Sequence, residues 1–500
     1  MKQETYYITT TLPYVNAAPH IGFAQEITAA DVLARYYRAL GKEVVFNTGT
    51  DEHGQKIYEQ AQAAGIDPQA YCDQYAAHFS NLKTLLNLSY TNFIRTTNPE
   101  HIAAAQTFWQ RCADNDDIYK RLYKISYCVG CELEKQASEL ADGRCPLHPN
   151  KDLEVREEEN YFFRFSKYQE ELLNLYENQP NFVLPASKLK EIQSFVAAGL
   201  QDFSISRLKD KMPWGVPVPG DNDHVMYVWF DALVNYISTL GWPADAATFT
   251  KFWPGTQVAG KDNLRQQSAM WQAMLLSAKL PTAQQIFING FITVDGQKMS
   301  KSTGTVIAPT ELVERYGTEA ARYLLINLGP FGEDMDVTWE KLDQTYTADL
   351  ANGLGNLCSR VAKLCEKYEV TYEKPLPEVA THLQFVTDQN EQKTVPTHFH
   401  AAFTEANLAA ALHLLVADTS EQNVDSAATL SVAALDKHLA QTAPWKQSPE
   451  DAVETLRFVV DHIITIATHL QPFMPETAQI IITHFTTKDS GSFQPLFPRL

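Results

Sequence analysis

The feature that most constrains the fold is a strand–turn–helix–strand unit near the start of the chain. Residues 6–11 are aromatic or β-branched, which is the composition of a strand. After a turn at residues 19–23, apolar residues recur at helical spacing until Gly41, at Phe23, Ile27, Ala30, Ala34 and Tyr37. Residues 44–46 then form a second buried run, so the pattern predicts an open parallel α/β sheet that begins here.

The turn before the predicted helix carries His20 and Gly22. Free backbone N–H groups and the positive end of the helix dipole gather at such a position, so an anion can bind there. Residues 48–54 follow with the glycine spacing of a P-loop, but we reject that motif because Gln55 stands where lysine is required. Asp51 at this sheet edge could hold a substrate ammonium group, or it could serve as a turn or helix-cap aspartate.

Composition indicates a globular protein with a substantial core. The 500 residues are 45% hydrophobic and 20% charged, and a chain of this length favours about three domains. The net charge of −19 argues against wholesale wrapping by nucleic acid but does not exclude a local basic groove. Residues 1–7 contain no apolar signal region, and we see neither a run long enough to span a bilayer nor a disulfide framework. We therefore expect a cytoplasmic protein without a membrane partner.

Four potential metal ligands lie in two closely spaced pairs. Cys128 and Cys131 form the first pair, and Cys145 and His148 form the second. Three thiolates and one imidazole predict a closed tetrahedral zinc site of the structural kind, with no position left for a catalytic water. The alternatives are a site that has lost its metal or one that prefers iron. The other cysteines lack partners at ligand spacing and are expected to be buried: Cys72, Cys112, Cys358 and Cys365.

Three later segments carry candidate ligand contacts. Residues 225–232 predict a buried strand running into a helix, with Trp229 and Tyr236 as pocket walls or, as is more common for aromatic residues, as core. Residues 260–262 follow an apolar segment, in the loop position that would face a ligand. Residues 296–304 contain two lysines among small polar residues, Lys298 and Lys301. By composition this segment is a solvated turn, but beside an anion-binding helix terminus the two lysines could hold a polyphosphate.

The pattern along the chain predicts four segments. Residues 1–115 and 223–340 would form the two halves of a Rossmann-like parallel sheet, split by an inserted zinc-knuckle domain at 116–222. From about residue 340 strands are expected to vanish, because residues 341–500 carry the helical periodicity of an antiparallel all-α bundle. The Pro/Glu/Thr-rich residues 373–396 are predicted to be an exposed loop between two helices.

Taken together, these residues resemble the methionyl-tRNA synthetases, a family of class I aminoacyl-tRNA synthetases. The turn at His20 is similar to the HIGH motif of that class, and residues 298–302 match its KMSKS motif letter for letter. More selective for the methionine branch are residues 48–54, the two Cys/His pairs, residues 227–232 and residues 260–262. The motifs keep their order, and the resemblance covers essentially the whole chain.

The resemblance implies a two-step reaction. Methionine would attack the α-phosphorus of Mg²⁺–ATP to give methionyl-adenylate, and the 3′ end of a tRNA with a CAU anticodon would then take the methionyl group. The helical domain would bind that anticodon, one zinc ion would be structural, and Mg²⁺ would accompany ATP. Because the chain stops soon after its last helices, without the dimer-forming module that some family members append, a monomer is expected.

The resemblance also assigns roles to individual positions. The catalytic residues would be His20, Lys298 and Lys301, and ATP binding would add Gly22, Gly260, Asp262 and Ser300. Asp51 would hold the ammonium group of methionine, whose other contacts would be Leu12, Tyr14, Trp229, Ala232, Tyr236, Asn263 and Gln267. The zinc ligands would be Cys128, Cys131, Cys145 and His148. The anticodon bases would be bound by Asn356, Arg360 and Trp445, and they would stack on the indole of Trp445.

Three positions depart from the family pattern. Phe23 replaces the second motif histidine, and the loss of one transition-state donor typically costs about 10²–10³ in rate. Asn263 replaces an apolar residue and Gln267 replaces a pocket histidine, so we expect a more polar methionine pocket than usual. A thioether would leave these polar groups unpaired, which would lower the affinity for methionine. A substrate with a polar side chain could pair with them and would bind more tightly.

Alternative functions stay open at this point. A paralogue with altered amino-acid specificity would fit the polar pocket. A catalytically weak tRNA-binding paralogue would fit Phe23, although Asp51, Lys298 and Lys301 are all retained and argue against decay. A small-molecule nucleotidyltransferase can share the HIGH-type turn but would not need the helical domain or the zinc knuckle. We expect an active methionine enzyme with a rearranged pocket.

Overall fold

A computed structural model of the chain describes residues 3–130, 133–134, 140–294, 296–298, 306–379, 383–386, 392–395, 398–405, 407–417, 431–487 and 492–500. In its first part strands and helices alternate, as the hydrophobic pattern predicts. These elements are β1 Thr5–Thr10, α1 Ile21–Ala39, β2 Glu43–Thr50, α2 Gln55–Ala64, α3 Pro68–Ser80, α4 Leu82–Leu85, β3 Asn92–Arg95 and α5 Pro99–Asp114. Helix α1 ends where predicted, since Gly41 adopts a positive φ of 82° and donates its N–H to Arg38 O.

The next part of the chain contains mainly antiparallel strands. Its elements are β4 Ile118–Cys128, β5 Leu133–Glu134, β6 Glu154–Phe163, a 3₁₀-helix Phe165–Tyr168, α6 Gln169–Asn178, β7 Val183–Leu184, α7 Ala186–Ala197, β8 Phe203–Ser204 and β9 Ser206–Leu208. A four-stranded sheet has the order β5-β4-β6-β8, and β4 pairs with β6 along almost its whole length. The Cys/His pairs therefore extend from the end of a long antiparallel ribbon.

The chain then returns to alternating strands and helices. The elements are β10 His224–Met226, α8 Val228–Leu233, α9 Asn235–Ser238, α10 Ala246–Phe252, β11 Thr256–Gly260, a 3₁₀-helix Lys261–Asn263, a π-helix Gln266–Met270, α11 Trp271–Ser277, β12 Gln285–Asn289, β13 Ile292–Val294, β14 Gln297–Lys298, α12 Pro309–Tyr316, α13 Thr318–Ile326, β15 Met335–Val337 and α14 Trp339–Thr345. Strand β10 pairs with β9 rather than with the central sheet.

The central sheet has six strands in the order β3-β2-β1-β11-β12-β7. Every neighbouring pair in this sheet is parallel. The chain moves outward from β1 through β2 to β3, and β11 lies on the other side of β1. This reversal of direction creates a switch point between β1 and β11, which is where open parallel sheets bind ligands.

The described C-terminal elements are mostly helical. They are a π-helix Tyr346–Gly355, α15 Asn356–Tyr368, β16 Leu383–Val386, β17 Gln392–Val395, α16 His398–Thr404, α17 Leu408–Val416, α18 Val432–Thr442, a 3₁₀-helix Pro444–Lys446, α19 Pro449–Leu470 and α20 Pro475–Thr486. The predicted fold class, a parallel α/β sheet followed by a helical region, is confirmed. The expectation that strands vanish was wrong, because β16 and β17 pair as an antiparallel hairpin inside the predicted loop.

Two hydrophobic clusters cover the two faces of the central sheet. One joins α1 and Phe46 to the C-terminal helices through residues such as Leu350 and Ile463. The other lies beneath the opposite face and contains Trp271, together with side chains of α6 and α7. Among the described helices, none combines the length and hydropathy that crossing a bilayer requires. The predicted domain boundaries remain predictions, although β7, which lies within 116–222, pairs with β12 of the central sheet.

Candidate active site

Several predicted site residues meet outside the carboxyl ends of the central strands. Leu12 follows β1, Asp51 follows β2, and Gly260 is the last residue of β11. The segments after β1 and β2 are joined, because Asp51 N donates to Pro13 O at 3.0 Å and Val15 N donates to Asp51 O at 3.2 Å. Backbone pairing therefore holds Asp51 next to Tyr14, at the switch point of the sheet.

His20 caps the N-terminus of α1. Its Nδ1 atom accepts the N–H of Gly22 at 3.0 Å, so the proton of the neutral ring lies on Nε2. The N–H of Ile21 donates to Ile307 O at 3.0 Å. The expectation of free N–H groups was therefore wrong for Ile21 and Gly22, because protein acceptors already cap them. The imidazole of His20 can still donate to an anion in this turn, supported by the helix dipole.

The ionisation of His20 is set by two opposing effects. Loss of water around the ring lowers the pKa of His20 below its ordinary value, and the Asp262 carboxylate partly offsets that shift. The ring is therefore neutral at pH 7, although more than a third of the side chain is exposed. A neutral imidazole can donate from Nε2 to a phosphate oxygen without carrying charge.

The segment that matches the KMSKS motif begins and ends on this scaffold. Lys298 lies in β14, where it pairs with Thr293 of β13, and Gly296 N donates to Asp336 Oδ1 at 2.7 Å. On its far side, Ile307 O accepts the N–H at the start of α1. Ser300 and Lys301 lie outside the described residues. The flank that follows the segment is thus bonded to the His20 turn, and the flank that precedes it is held by β13 and Asp336.

Glu26 is a buried carboxyl group next to the predicted site that the residue pattern did not single out. Its Oε1 atom accepts the backbone N–H of Thr11 at 2.8 Å and the Thr11 hydroxyl at 2.6 Å. Burial raises the pKa of Glu26 to about 8, and the nearby Asp262 carboxylate raises it further. Interactions with Thr11 and with the backbone of Gly260 lower the pKa, but they do not cancel the effect of burial. A signal was present in the sequence, since Glu26 interrupts the apolar stripe between Phe23 and Ile27.

The predicted methionine pocket contains a buried polar contact. Gln267, in the π-helix, donates its amide N–H to the hydroxyl of Tyr236, and each of these side chains is 2% exposed. Burial raises the pKa of Tyr236, and the carboxylates of Glu26 and Asp51 add to the shift. Those two carboxylates are therefore near Tyr236, which links the predicted ammonium site to the predicted side-chain pocket. Asn263 is half-buried and donates to Asp262 Oδ1 at 3.3 Å.

A buried pair joins the loop after β2 to helix α8. His53 Nδ1 lies 2.8 Å from Asp231 Oδ2, and both side chains are buried. Asp231 stands between Trp229, which is half-buried, and Ala232, which is 7% exposed. Helix α8 carries two residues that are predicted to contact the substrate methionine, and the loop after β2 carries a third, Asp51. The contact between His53 and Asp231 holds this helix beside this loop.

Three of the four predicted zinc ligands come together. The ligand atoms of Cys128, Cys145 and His148 all lie within 4.8 Å of one another. His148 Nδ1 is 3.8 Å from Cys128 Sγ and 4.0 Å from Cys145 Sγ, separations that suit ligands on one tetrahedral ion. A Cβ atom on Gly130 would lie 2.5 Å from the His148 ring, so the knuckle requires glycine there. Cys131 lies outside the described residues.

The predicted anticodon residues also lie near one another. Asn356 and Arg360 are one turn apart on α15, and the Arg360 guanidinium lies 6.0 Å from the ring centroid of Trp445. Trp445 is 43% exposed, which leaves an indole face available for stacking. Arg360 also pairs with Asp436 at 2.5 Å, an interaction that orients the guanidinium.

Comparison with known proteins agrees with this geometry. The family model described as tRNA synthetases class I (M) matches residues 6–147 and 128–362. A methionine–tRNA ligase of Thermosynechococcus vestitus is 42% identical, with 98% of this chain and 92% of that protein covered, and one of Streptomyces coelicolor is 38% identical, with 95% and 88% covered. The structure of Mycobacterium tuberculosis methionyl-tRNA synthetase in complex with methionyl-adenylate is 33% identical, with a TM-score of 0.82 over 96% of this chain and 93% of that chain. The chain therefore belongs to the methionine–tRNA ligase family of class I tRNA synthetases.

Proposed function

We propose that this chain activates methionine with ATP to methionyl-adenylate and pyrophosphate, then transfers the methionyl group to the 3′ end of its tRNA with release of AMP. As a member of its family it is an ATP-dependent aminoacyl-tRNA ligase. One observation carries the assignment to this site. The His20 turn, the Gly260–Asp262 loop and the Asp51 loop converge at the switch point of the parallel sheet.

In the first step the protein acts by positioning and charge stabilisation. Asp51 would hold the methionine ammonium group, so that a carboxylate oxygen forms a bond to the α-phosphorus while the bond to pyrophosphate breaks. The Nε2–H of His20 would donate to a phosphate oxygen, and Lys298 and Lys301 would balance the charge that leaves with pyrophosphate. Further ATP contacts are proposed at Gly22, Gly260, Asp262 and Ser300. When Mg²⁺ accompanies ATP, part of the phosphate charge is neutralised.

In the second step a ribose 2′-hydroxyl at the tRNA 3′ end would attack the adenylate carbonyl carbon. The new ester bond forms as the bond to AMP breaks, and the hydroxyl proton leaves with the phosphate group. No protein nucleophile is needed, because the adenylate is already an activated acyl donor. The requirement on the protein is to hold the tRNA end beside the site.

The methionine side chain would lie among Leu12, Tyr14, Trp229, Ala232, Tyr236, Asn263 and Gln267. The contact between Gln267 and Tyr236 supports a pocket with a partly satisfied polar wall, because the Gln267 amide N–H donates to the Tyr236 hydroxyl. The buried Oε1 atom of Gln267 has no hydrogen-bond partner among the described residues. The rest of the pocket would take an apolar side chain. The polar wall also favours one second candidate, a related enzyme that prefers a more polar amino acid, since a polar substrate could compete for the same hydrogen bond.

We also propose that the Cys/His group binds one zinc ion. The donor set supports zinc, because thiolates and imidazole at these separations suit a closed structural site, and Cys128, Cys131, Cys145 and His148 would hold the ion. When bound, zinc would cross-link the knuckle and supply no chemistry to the reaction. The knuckle would help to guide the tRNA end.

For the tRNA we propose recognition of a CAU anticodon by Asn356, Arg360 and Trp445, where the exposed indole supports base stacking.

We propose a monomer. In the described part of the chain, the exposed large apolar side chains belong to separate elements, whereas stable dimers need a large continuous interface. Light scattering at twice the chain mass of 56.3 kDa would contradict it. The cytoplasm, where a tRNA ligase meets its tRNA, is the proposed location.

The decisive experiment is ATP–pyrophosphate exchange with each of the twenty amino acids. We expect methionine to support exchange with the highest kcat/KM. If a polar amino acid were preferred, the altered-specificity paralogue would replace this proposal. If no amino acid supported exchange while the protein still bound tRNA, the catalytically weak paralogue would replace it.

A further inference from the structure

Glu26 contacts both loops that carry the proposed substrate contacts. From helix α1, its Oε1 atom accepts two hydrogen bonds from Thr11, the residue before Leu12. Thr11 N–H is shared with Val258 O of β11, at 3.2 Å. The backbone N–H of Gly260, at the end of β11, faces the Glu26 carboxyl group and lowers its pKa. The Glu26 side chain is thus bonded to the end of β1, which pairs with β11, and lies beside the end of β11.

Titratable groups after β11 and on α9 interact with the Glu26 carboxyl group. Asp262, after β11, raises the pKa of Glu26, and the same carboxylate acts on the ring of His20 at the start of α1. Tyr236 of α9 feels the Glu26 carboxylate and also that of Asp51, after β2. Glu26 is 6% exposed. It is therefore a buried acid between the proposed ATP contacts and the proposed methionine contacts.

We propose that Glu26 is a positioning residue for adenylate formation, and that its carboxyl group holds the methionine-binding loop after β1 and the ATP-binding loop after β11 in one geometry. The inference rests on the proposed function. Burying a carboxyl group is costly unless it is hydrogen-bonded, and this one is used to join two loops that each carry proposed substrate contacts. Glu26 itself need not touch either substrate.

The proposal has a consequence for pH dependence. With a pKa of about 8, Glu26 is mostly neutral at pH 7 and becomes an anion by pH 9. The new charge would lie beside Asp262 and near the triphosphate of bound ATP. KM for ATP is therefore expected to rise severalfold between pH 7 and pH 9, because like charges repel.

The test compares Glu26→Gln with Glu26→Ala in pyrophosphate exchange on the full-length protein. Glutamine keeps an oxygen that can accept from Thr11 but cannot ionise. We expect Glu26→Gln to keep KM values for methionine and ATP close to those of the wild type at pH 7, and to lose the rise in KM for ATP toward pH 9. We expect Glu26→Ala to raise both KM values about tenfold or more, since it frees both loops.

A matched control is Glu319, a half-buried glutamate on α13 that accepts the N–H of Thr477 at 2.9 Å and whose pKa is also raised by burial. Glu319→Gln and Glu319→Ala should change the melting temperature without moving either KM or its pH dependence. If Glu26→Ala failed to fold, the pH profile of Glu26→Gln would still decide. A KM for ATP that rises with pH equally in the wild type and in Glu26→Gln would overturn the proposal.

The outcomes separate this inference from the proposed function. Absence of methionine-dependent exchange in the wild-type protein would refute the function itself. Normal exchange in the wild type, with unchanged KM values and pH profile in both Glu26 variants, would refute only the role of Glu26.

Discussion

Phe23 stands where the family pattern has a histidine, and its surroundings explain what the aromatic ring does instead. The ring is 8% exposed and meets Phe79 of α3 edge-on, with centroids 5.6 Å apart. It belongs to the cluster that fixes α1 against the sheet. At the scale of one residue, Phe23 contributes core packing, while His20 caps the start of the helix.

Phe23→His is therefore expected to cost stability more than it gains activity. An imidazole against Phe79 would be a buried polar group without a hydrogen-bond partner, which typically lowers the free energy of unfolding by about 1–3 kcal/mol. We expect a melting temperature several degrees lower and a rate of pyrophosphate exchange within about threefold of the wild type, measured by calorimetry and by exchange at a temperature where both proteins are folded. A rate increase of about 10²–10³ would instead show that a phosphate donor had been missing.

Residue patterns predicted the turn at His20, the position of Asp51 at the edge of the sheet and the Cys/His pairs, because each of these features is local in sequence. They could not reveal the bond from Ile21 N to Ile307 O or the role of Glu26, which depend on how distant strands meet. The same applies to elements. The hairpin of β16 and β17 lies in a Pro/Glu/Thr-rich segment, and its few aromatic and β-branched residues were too weak a signal against that composition.

At the scale of elements, a buried ion pair fixes α1 to the C-terminal helices. Arg322 of α13 is fully buried and lies 2.8 Å from Asp31 of α1. Its other guanidinium bonds go to the carbonyl oxygens of Leu86, Pro472 and Phe473, the last two in the turn between α19 and α20. The helix that begins at His20 is thus tied directly to the helical region.

Arg322→Met should destabilise the protein strongly at neutral pH. Removing one partner of a buried pair leaves the other charge uncompensated, at a cost of about 3–5 kcal/mol. Burial alone would raise the pKa of Asp31, but Arg322, Arg35 and Ser89 together lower it below the ordinary value. The pair therefore contributes in full above about pH 4, and its contribution is lost as the pH falls further and Asp31 takes up a proton.

The measurement is chemical denaturation of the wild type and Arg322→Met between pH 7 and pH 3. We expect the difference in unfolding free energy to be largest at pH 7 and to shrink at the acid end. Arg315→Met is the control, because Arg315 also pairs with a carboxylate, Asp343, but at an exposed position where ion pairs contribute little. Equal losses in the two variants would contradict the special role of the buried pair.

At the scale of the whole molecule, the helical region shares a hydrophobic core with α1 and the sheet. Leu350 and Ile463 belong to the same cluster as Ile27 and Phe46. Cutting the chain near residue 340 would expose that core and confuse loss of tRNA binding with unfolding. The separation of the two proposed activities is better tested by a surface substitution, and Trp445, which is 43% exposed, offers one.

Trp445→Ala is expected to lower kcat/KM for tRNA aminoacylation by about 10–100-fold, because stacking of one base on an aromatic ring contributes about 1–3 kcal/mol. Pyrophosphate exchange should stay unchanged, since it needs only the switch-point site. Ile480→Ala removes an exposed apolar side chain of α20, 51% exposed, and should leave both reactions intact. If Trp445→Ala charged tRNA as well as the wild type, anticodon stacking on this indole would be refuted. A parallel loss of exchange would mean that the substitution had disturbed the shared core.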